Sequence, residues 1–222
     1  MTTTWLESTP PDLEEQPARL PAASLLDRFM PAWDATRVEH RVILAPLERV
    51  YTAALDADVL DAIREHRLVR ILIAIRRGFE RVVTALRGRP WVEPSPPPAL
   101  RLRDVPSHGE WIRLGEEAPH EIAFGAIGRF WGGETKWETI DQREFATFSR
   151  PGFARVGCNL LLHDLGDGAV LLSYAARTRA TDAASQRAFL RYWRVTSPFI
   201  GVVMRALLTV IERDVARGTR LR

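Results

Sequence analysis

The sequence predicts an α+β domain in which an antiparallel sheet supports a long carboxy-terminal helix. Three observations carry this reading. Short alternating segments crowd residues 100 to 178, helical periodicity is confined to the stretches before and after them, and Gly166-Asp167-Gly168 joins the two strongest strand candidates as a tight hairpin turn. Sequential strands at hairpin spacing imply a meander rather than a doubly wound sheet or a bundle. A terminal helix with one broad apolar stripe must lie on something, and the sheet is the available surface.

Residues 1–23 carry Pro10, Pro11, Pro17 and Pro21 among acids and threonines, too little apolar surface to offset the entropy of ordering. They read as a mobile tail ahead of a single domain over 24–222. Ser24 can cap a short helix with Leu25, Leu26, Phe29 and Met30 on one side. Val38, His40, Val42 and Leu44 then alternate with Glu39 and Arg41, the pattern of a half-buried strand. Directly after it, Pro46 suits the opening residue of a helix, since its ring fixes φ and a first-turn N–H would have no partner. Leu47, Val50, Tyr51, Ala54 and Leu55 repeat at three and four and give that helix its apolar face.

A second helical stretch sets Leu68, Ile71, Leu72, Ile75, Phe79, Val82 and Leu86 on one stripe, with Arg67, Arg70, Arg77 and Arg81 roughly opposite. It reads as a core-packing helix with a solvated arginine side; a membrane-surface helix is the alternative. Gly78 can end one helix and let another begin. The proline-rich PWVEPSPPP, 90–98, is a connector that neither a helix nor a central strand could hold. Strand candidates follow at 100–103, 111–115, 121–127, 135–140, 154–165 and 169–178. Thr181 or Asp182 can cap a helix through Trp193, and Ser197-Pro198 restarts a second one, whose stripe of Phe199, Val203, Ala206, Leu207, Val210 and Ile211 is backed by Arg205, Glu212, Arg213 and Arg217.

At 222 residues the chain is sized for one domain, and a net charge of +3 raises the question of nucleic acid. The basic residues argue against it. Lys136 is the only lysine among 31 basic residues, a ratio that a G- and C-rich codon bias produces unaided, and no basic, aromatic-interleaved run is present. Cys158 is the only cysteine, which excludes an intramolecular disulfide and a cysteine metal cluster and fits a reducing cytoplasm. The amino terminus has no signal-peptide pattern, and no segment approaches 18 uninterrupted apolar residues, so no transmembrane segment is expected. The histidines lack metal-ligand spacing, and the glycine pairs lack the strand, loop and helix order of a phosphate loop. We expect no metal and no cofactor; whether the chain forms a homodimer is left open.

The order of strand, helices, meander and terminal helix, with A-P-L-E-R-V-Y directly after the first strand, resembles the START-like superfamily, also called SRPBCC or the birch-pollen-allergen fold. The likeness runs from about Leu25 to Arg217. The segments LLDRFMPAWDATRVEHRVILAPLERVYTAAL, GRFWGG and RATDAASQRAFLRYWRVTSPFIGVVMRALL look like those of a bacterial branch of it. The resemblance implies a helix-grip fold, a curved antiparallel sheet wrapped around the terminal helix, with a cavity between them for lipids, polyketides or other apolar molecules. It implies in turn binding or carriage of such a small molecule. The alternatives are an aromatase/cyclase- or hydrolase-like enzyme using the same cavity, and a protein- or membrane-surface interaction module. The long helical region before the proline connector departs from typical members.

Within that frame Trp131, Trp137, Phe145, Tyr174 and Trp193 are ligand-binding candidates, since aromatic rings on a concave wall stack on flat or long-chain ligands. Arg129, in the apolar run FGAIGRFW, is the candidate anchor for an acidic head group, because a buried guanidinium needs a carboxylate. Asn159 can hydrogen-bond a ligand carbonyl; it shares strand parity with His163, and alternation alone does not say which face is concave. No catalytic residue is assigned. Asp104, Ser107 and His108 are close only in sequence.

Overall fold

The computed structural model describes residues 23–61, 70, 71, 74, 78, 81, 82, 85, 86, 88, 101–132 and 135–220. The expected tail and proline-rich connector lie outside them, apart from Ala23.

Hydrogen-bond registers assemble one antiparallel sheet from β1 (Ala35–Leu44), β3 (Trp111–Glu117), β4 (Glu121–Arg129), β5 (Lys136–Glu138), β7 (Ala154–Gly166) and β8 (Ala169–Ala180), in the order β1-β8-β7-β4-β3 with β5 on β4. A small second sheet pairs β2 (His108–Gly109) with β6 (Ile140–Asp141). The β7–β8 hairpin turns at Gly166-Asp167-Gly168, whose φ values of 80°, 51° and 70° are left-handed; two glycines and an aspartate are the residues that tolerate this. The expected strand at 100–103 is instead a 3-10 turn, Leu102–Asp104, beside an isolated bridge from Arg101 to Asp58.

Helices cover both faces of the sheet. On the outer face lie α1 (Leu25–Phe29) and α3 (Gln142–Phe145), each closed by a reciprocal capping box, Ser24 with Asp27 and Asp141 with Glu144. Leu25, Leu26, Met30 and Phe145 pack there on Ile112, Leu114, Ala123 and Ile127. A Cβ at Gly157 would stand 2.5 Å from the Met30 sulfur and 2.9 Å from a Leu26 methyl, so only glycine lets α1 settle this closely. On the inner face lies α4 (Ala183–Arg220), packed on β1, β8 and α2 (Leu47–Asp56). Asp182 caps α4, accepting from Ala184 N and Ser185 N at 2.9 Å, from Ser185 Oγ at 2.6 Å and from Gly152 N at 2.7 Å. These bonds, the Ser185 hydroxyl's first, hold its carboxyl well below the usual carboxylate range.

Three local expectations are corrected. Pro46 is the cap residue of α2 rather than its first helical residue, one position from the expected place. Ser197-Pro198 does not restart a helix, since α4 runs unbroken through Pro198. Packing on the sheet outweighs the single backbone bond the proline removes. The third is the orientation of β1. Its register pairs Arg37, Glu39, Arg41 and Ile43 with Ala176, Tyr174, Leu172 and Val170, all on the face that meets α4, while Val38, Val42 and Leu44 face outward and are exposed. Charge pairing decides it: Glu39 meets Arg37 and Arg205, and Arg41 meets Glu212 and Thr209 of α4.

Among the described residues α4 is also the one helix long and apolar enough to cross a membrane by length and composition, and Met204, Leu207, Leu208 and Ile211 are buried against the fold.

Candidate functional site

The alternation of β4, β7 and β8 decides what the inner wall is made of. Phe124 and Ala126, then Val156 and Cys158, then Tyr174 and Ala176 face α4, because the registers place Phe124 opposite Cys158 and Cys158 opposite Ala176. At one end of this wall Leu160, Leu162 and Leu172 close against Leu207, Leu208 and Ile211, all essentially inaccessible. Toward the other end Trp111, Val156, Tyr174 and Ala176 stay only half-buried, although they stand on the covered face, and so do Val202 and Val203 of α4 above them. These half-buried side chains are the part of the inner wall that α4 leaves accessible.

Aromatic rings run from this half-buried patch to the amino-terminal half of α4. Tyr174 lies 6.3 Å from Phe124, Phe124 lies 6.1 Å from Trp111, and Trp111 lies 5.6 Å from Trp137, centroid to centroid. Trp137 stacks on Phe130 at 5.7 Å, and Phe130 meets Trp131 at 5.2 Å and both Phe189 and Tyr192 at 5.9 Å. Trp193 ends the chain 5.7 Å from Phe189. Every spacing falls within the range in which ring quadrupoles favour tilted or offset contact. Trp137 reaches the wall because its register partner is Gly128, whose missing side chain leaves room for the indole.

The polar groups of the wall are few. Tyr174 and Cys158 stand on the same face of neighbouring strands; burial pushes the Cys158 thiol up to about 12 and, with Cys158 beside it, pushes the Tyr174 hydroxyl well above its ordinary value. Both are neutral donors at neutral pH. Glu39 stands opposite Tyr174 across the β1–β8 pair. Desolvation raises its carboxyl, but hydrogen bonds and charge from Arg37 and Arg205 outweigh that and hold it below its usual range. Arg37 lies over Gly201 of α4, where a Cβ would come within 2.5 Å of the guanidinium. Among the described residues no group of three His, Cys, Asp or Glu side chains is set to hold a metal.

Of the seven residues singled out in the sequence, Trp131, Trp137, Tyr174 and Trp193 join the ring chain. Three do not reach it. Arg129 is exposed on the outer face at the end of β4. Phe145 is fully buried, but in the outer core beneath α3. Asn159 is on the outer face too, where its Nδ2 donates to Glu121 Oε1 at 2.6 Å, and the same Glu121 carboxylate accepts from Leu25 N at 2.9 Å. Asn159 therefore positions α1, and the face carrying Cys158 is the concave one. Phe189 and Glu39 were missed. Phe189 is four residues, one helical turn, before Trp193, which places both rings on one side of α4. Nothing in the alternation of β1 signals that its charges face inward.

No family model and no curated protein sequence matches the chain. Similar solved structures include a conserved protein from Geobacillus kaustophilus, 11% identical with a TM-score of 0.38, covering 82% of this chain and 96% of that one. A protein from Thermus thermophilus is 11% identical, with a TM-score of 0.34 over 83% of this chain and 99% of that one. An aromatase/cyclase from a Streptomyces species is 12% identical, with a TM-score of 0.31 over 85% and 96%. At these identities and scores the fold assignment rests on the chain's own strand order and helix placement. On that ground the chain has a helix-grip architecture, an antiparallel sheet packed around its long terminal helix.

Proposed function

We propose that the chain binds and carries an apolar, ring-containing small molecule between the inner wall of the sheet and the amino-terminal half of α4. The observation that supports this most is the half-buried patch of Trp111, Val156, Tyr174 and Ala176, continuous with the aromatic chain that leads to Trp193. Flat ligands stack on such walls, and one or two donors fix their orientation. Tyr174 supplies the donor. Its neutral hydroxyl suits a ligand carbonyl or hydroxyl.

Carriage is favoured over catalysis by the same groups. The Tyr174 and Cys158 protons are held too tightly for a base near neutral pH, and the Glu39 carboxylate is tied to two guanidiniums. A cytoplasmic site of action belongs to this reading, with Cys158 a free, buried thiol. Native mass spectrometry of the purified chain, with solvent extraction of any retained molecule, tests it. A retained aromatic or long-chain compound, lost in Trp137→Ala, is the expected result. Repeated preparations that carry nothing, with no rise in melting temperature from aromatic polyketides or fatty acids, would overturn it.

A further inference from the structure

The sheet ends in two unlike edges. At one, β3 is interrupted by a register shift between Arg113 and Gly115 and finishes in Glu116 and Glu117, features that blunt an edge against further pairing. At the other, β1 pairs with β8 over all ten residues without a shift, and among the described residues no strand pairs with its far side. Every second residue of an antiparallel strand turns its N–H and C=O away from the partner, so this edge presents a row of open backbone donors and acceptors. Its outer face is apolar as well: Val38 is 43% exposed, Val42 50% and Leu44 83%. Ile71, Val82 and Leu86 are exposed too, against the expected core-packing stripe, though most of that stretch lies outside the described residues.

The order of residues along β1 decides what fits the edge. Around His40 the strand is complementary to its own reverse. With a second copy laid antiparallel beside it, His40 opposite His40, each Glu39 stands opposite an Arg41 on the inner face. On the outer face each Val38 stands opposite a Val42, with Thr36 opposite Leu44 beyond. Moving the axis by one residue destroys this match. Centred on Glu39 it opposes two carboxylates and sets Arg37 against Arg41; centred on Arg41 it opposes two guanidiniums. An axis on Val38 keeps Arg37 opposite Glu39 but leaves Val42 and Leu44 beyond the overlap. The charges have capacity to spare. Glu39 receives Arg37 and Arg205 on Oε1, each at 2.8 Å, while Arg41 uses Nη1 on Glu212 at 3.1 Å and Nη2 on Thr209 at 3.0 Å, so Glu39 Oε2 and Arg41 Nε are left for the other copy.

We propose that β1 pairs antiparallel with β1 of a second copy about a two-fold axis through His40, joining the two sheets into one. The four valines form one apolar cluster across the axis on the outer face, and the Glu39 and Arg41 charges cross-pair on the inner one. The inference does not depend on what the inner wall binds.

Sedimentation velocity of the full chain across a micromolar concentration series tests it, with a dimer as the expected result. Val38→Asp and Val42→Lys, each alone, should raise the dimer dissociation constant roughly tenfold or more, with circular dichroism unchanged because both side chains are exposed. An equimolar mixture of the two variants should recover the dimer, since only in the mixed pair does the new carboxylate lie opposite the new ammonium. Under oxidising conditions His40→Cys should give a covalent dimer, because the two introduced sulfurs meet on the axis and Cys158 is buried. Leu44→Cys should not, as position 44 lies about 27 Å from its own image in this register. A wild-type monomer throughout the series would overturn the proposal and leave the edge to another segment of the chain. So would a dimer that neither valine variant weakens, a mixture that stays monomeric, or cross-linking through position 44 rather than 40.

Discussion

The two faces of the sheet are built from the same strands and serve opposite ends. On the outer face, Phe145, Met30, Leu26 and Ile112 are wholly buried, and Gly157 is pressed so closely by α1 that no side chain fits. On the inner face, rings of equal size stand half-exposed under a 38-residue helix. Both faces carry buried cores, and the inner one leaves the aromatic patch of Trp111 and Tyr174 only half-buried. Stability and binding should therefore separate by face when residues are changed.

The largest separation is expected from Phe145→Ala, which empties the outer core and should cost about 3–5 kcal/mol of unfolding free energy in denaturant titration, with ligand affinity unchanged. Trp137→Ala should do the reverse, lowering affinity for an aromatic ligand roughly tenfold while destabilising less than the Phe145 change. Comparable stability losses from both would erase the contrast. Tyr174→Phe sharpens it further: stability changes by only about 1 kcal/mol, and calorimetry should show weaker binding of carbonyl ligands but not of plain hydrocarbons.

The smallest effect concerns pH. The Glu39 carboxyl is lowered in the folded chain, so its contribution is complete above the unfolded value and is lost as pH falls through the folded one. Unfolding free energy should thus decline with acidity below the ordinary carboxylate range of about 4.3, and less steeply in Glu39→Gln, as thermal melts across acid pH would show.

Much of the fold was legible because local signals agreed. Ser24 and Asp182 cap where expected, the Gly-Asp-Gly turn makes its hairpin, and the β7 and β8 candidates match the observed strands to within two residues. The site was legible only in composition. Alternation separates Cys158 from Asn159 but cannot say which of them α4 covers, so Asn159 and Phe145 stood among the candidates although both lie on the outer face. On β1 the pattern pointed the wrong way, since Glu39 and Arg41 face inward to meet Arg205 and Glu212, more than 160 residues away, and pairing at that separation leaves no local trace. Arg129 was misread because the apolar run around it belongs to a strand buried on both faces, with the arginine one step past its buried part.

The central claim is that the half-buried inner wall, and not the outer face, takes the ligand. Methyl NMR during titration with 2-naphthol addresses it most directly. The account predicts saturable shifts at Val156, Ala176, Val202 and Val203, with Ala123 and Leu26 unmoved. Shifts centred on the outer-face methyls, or none at the inner four, would contradict it.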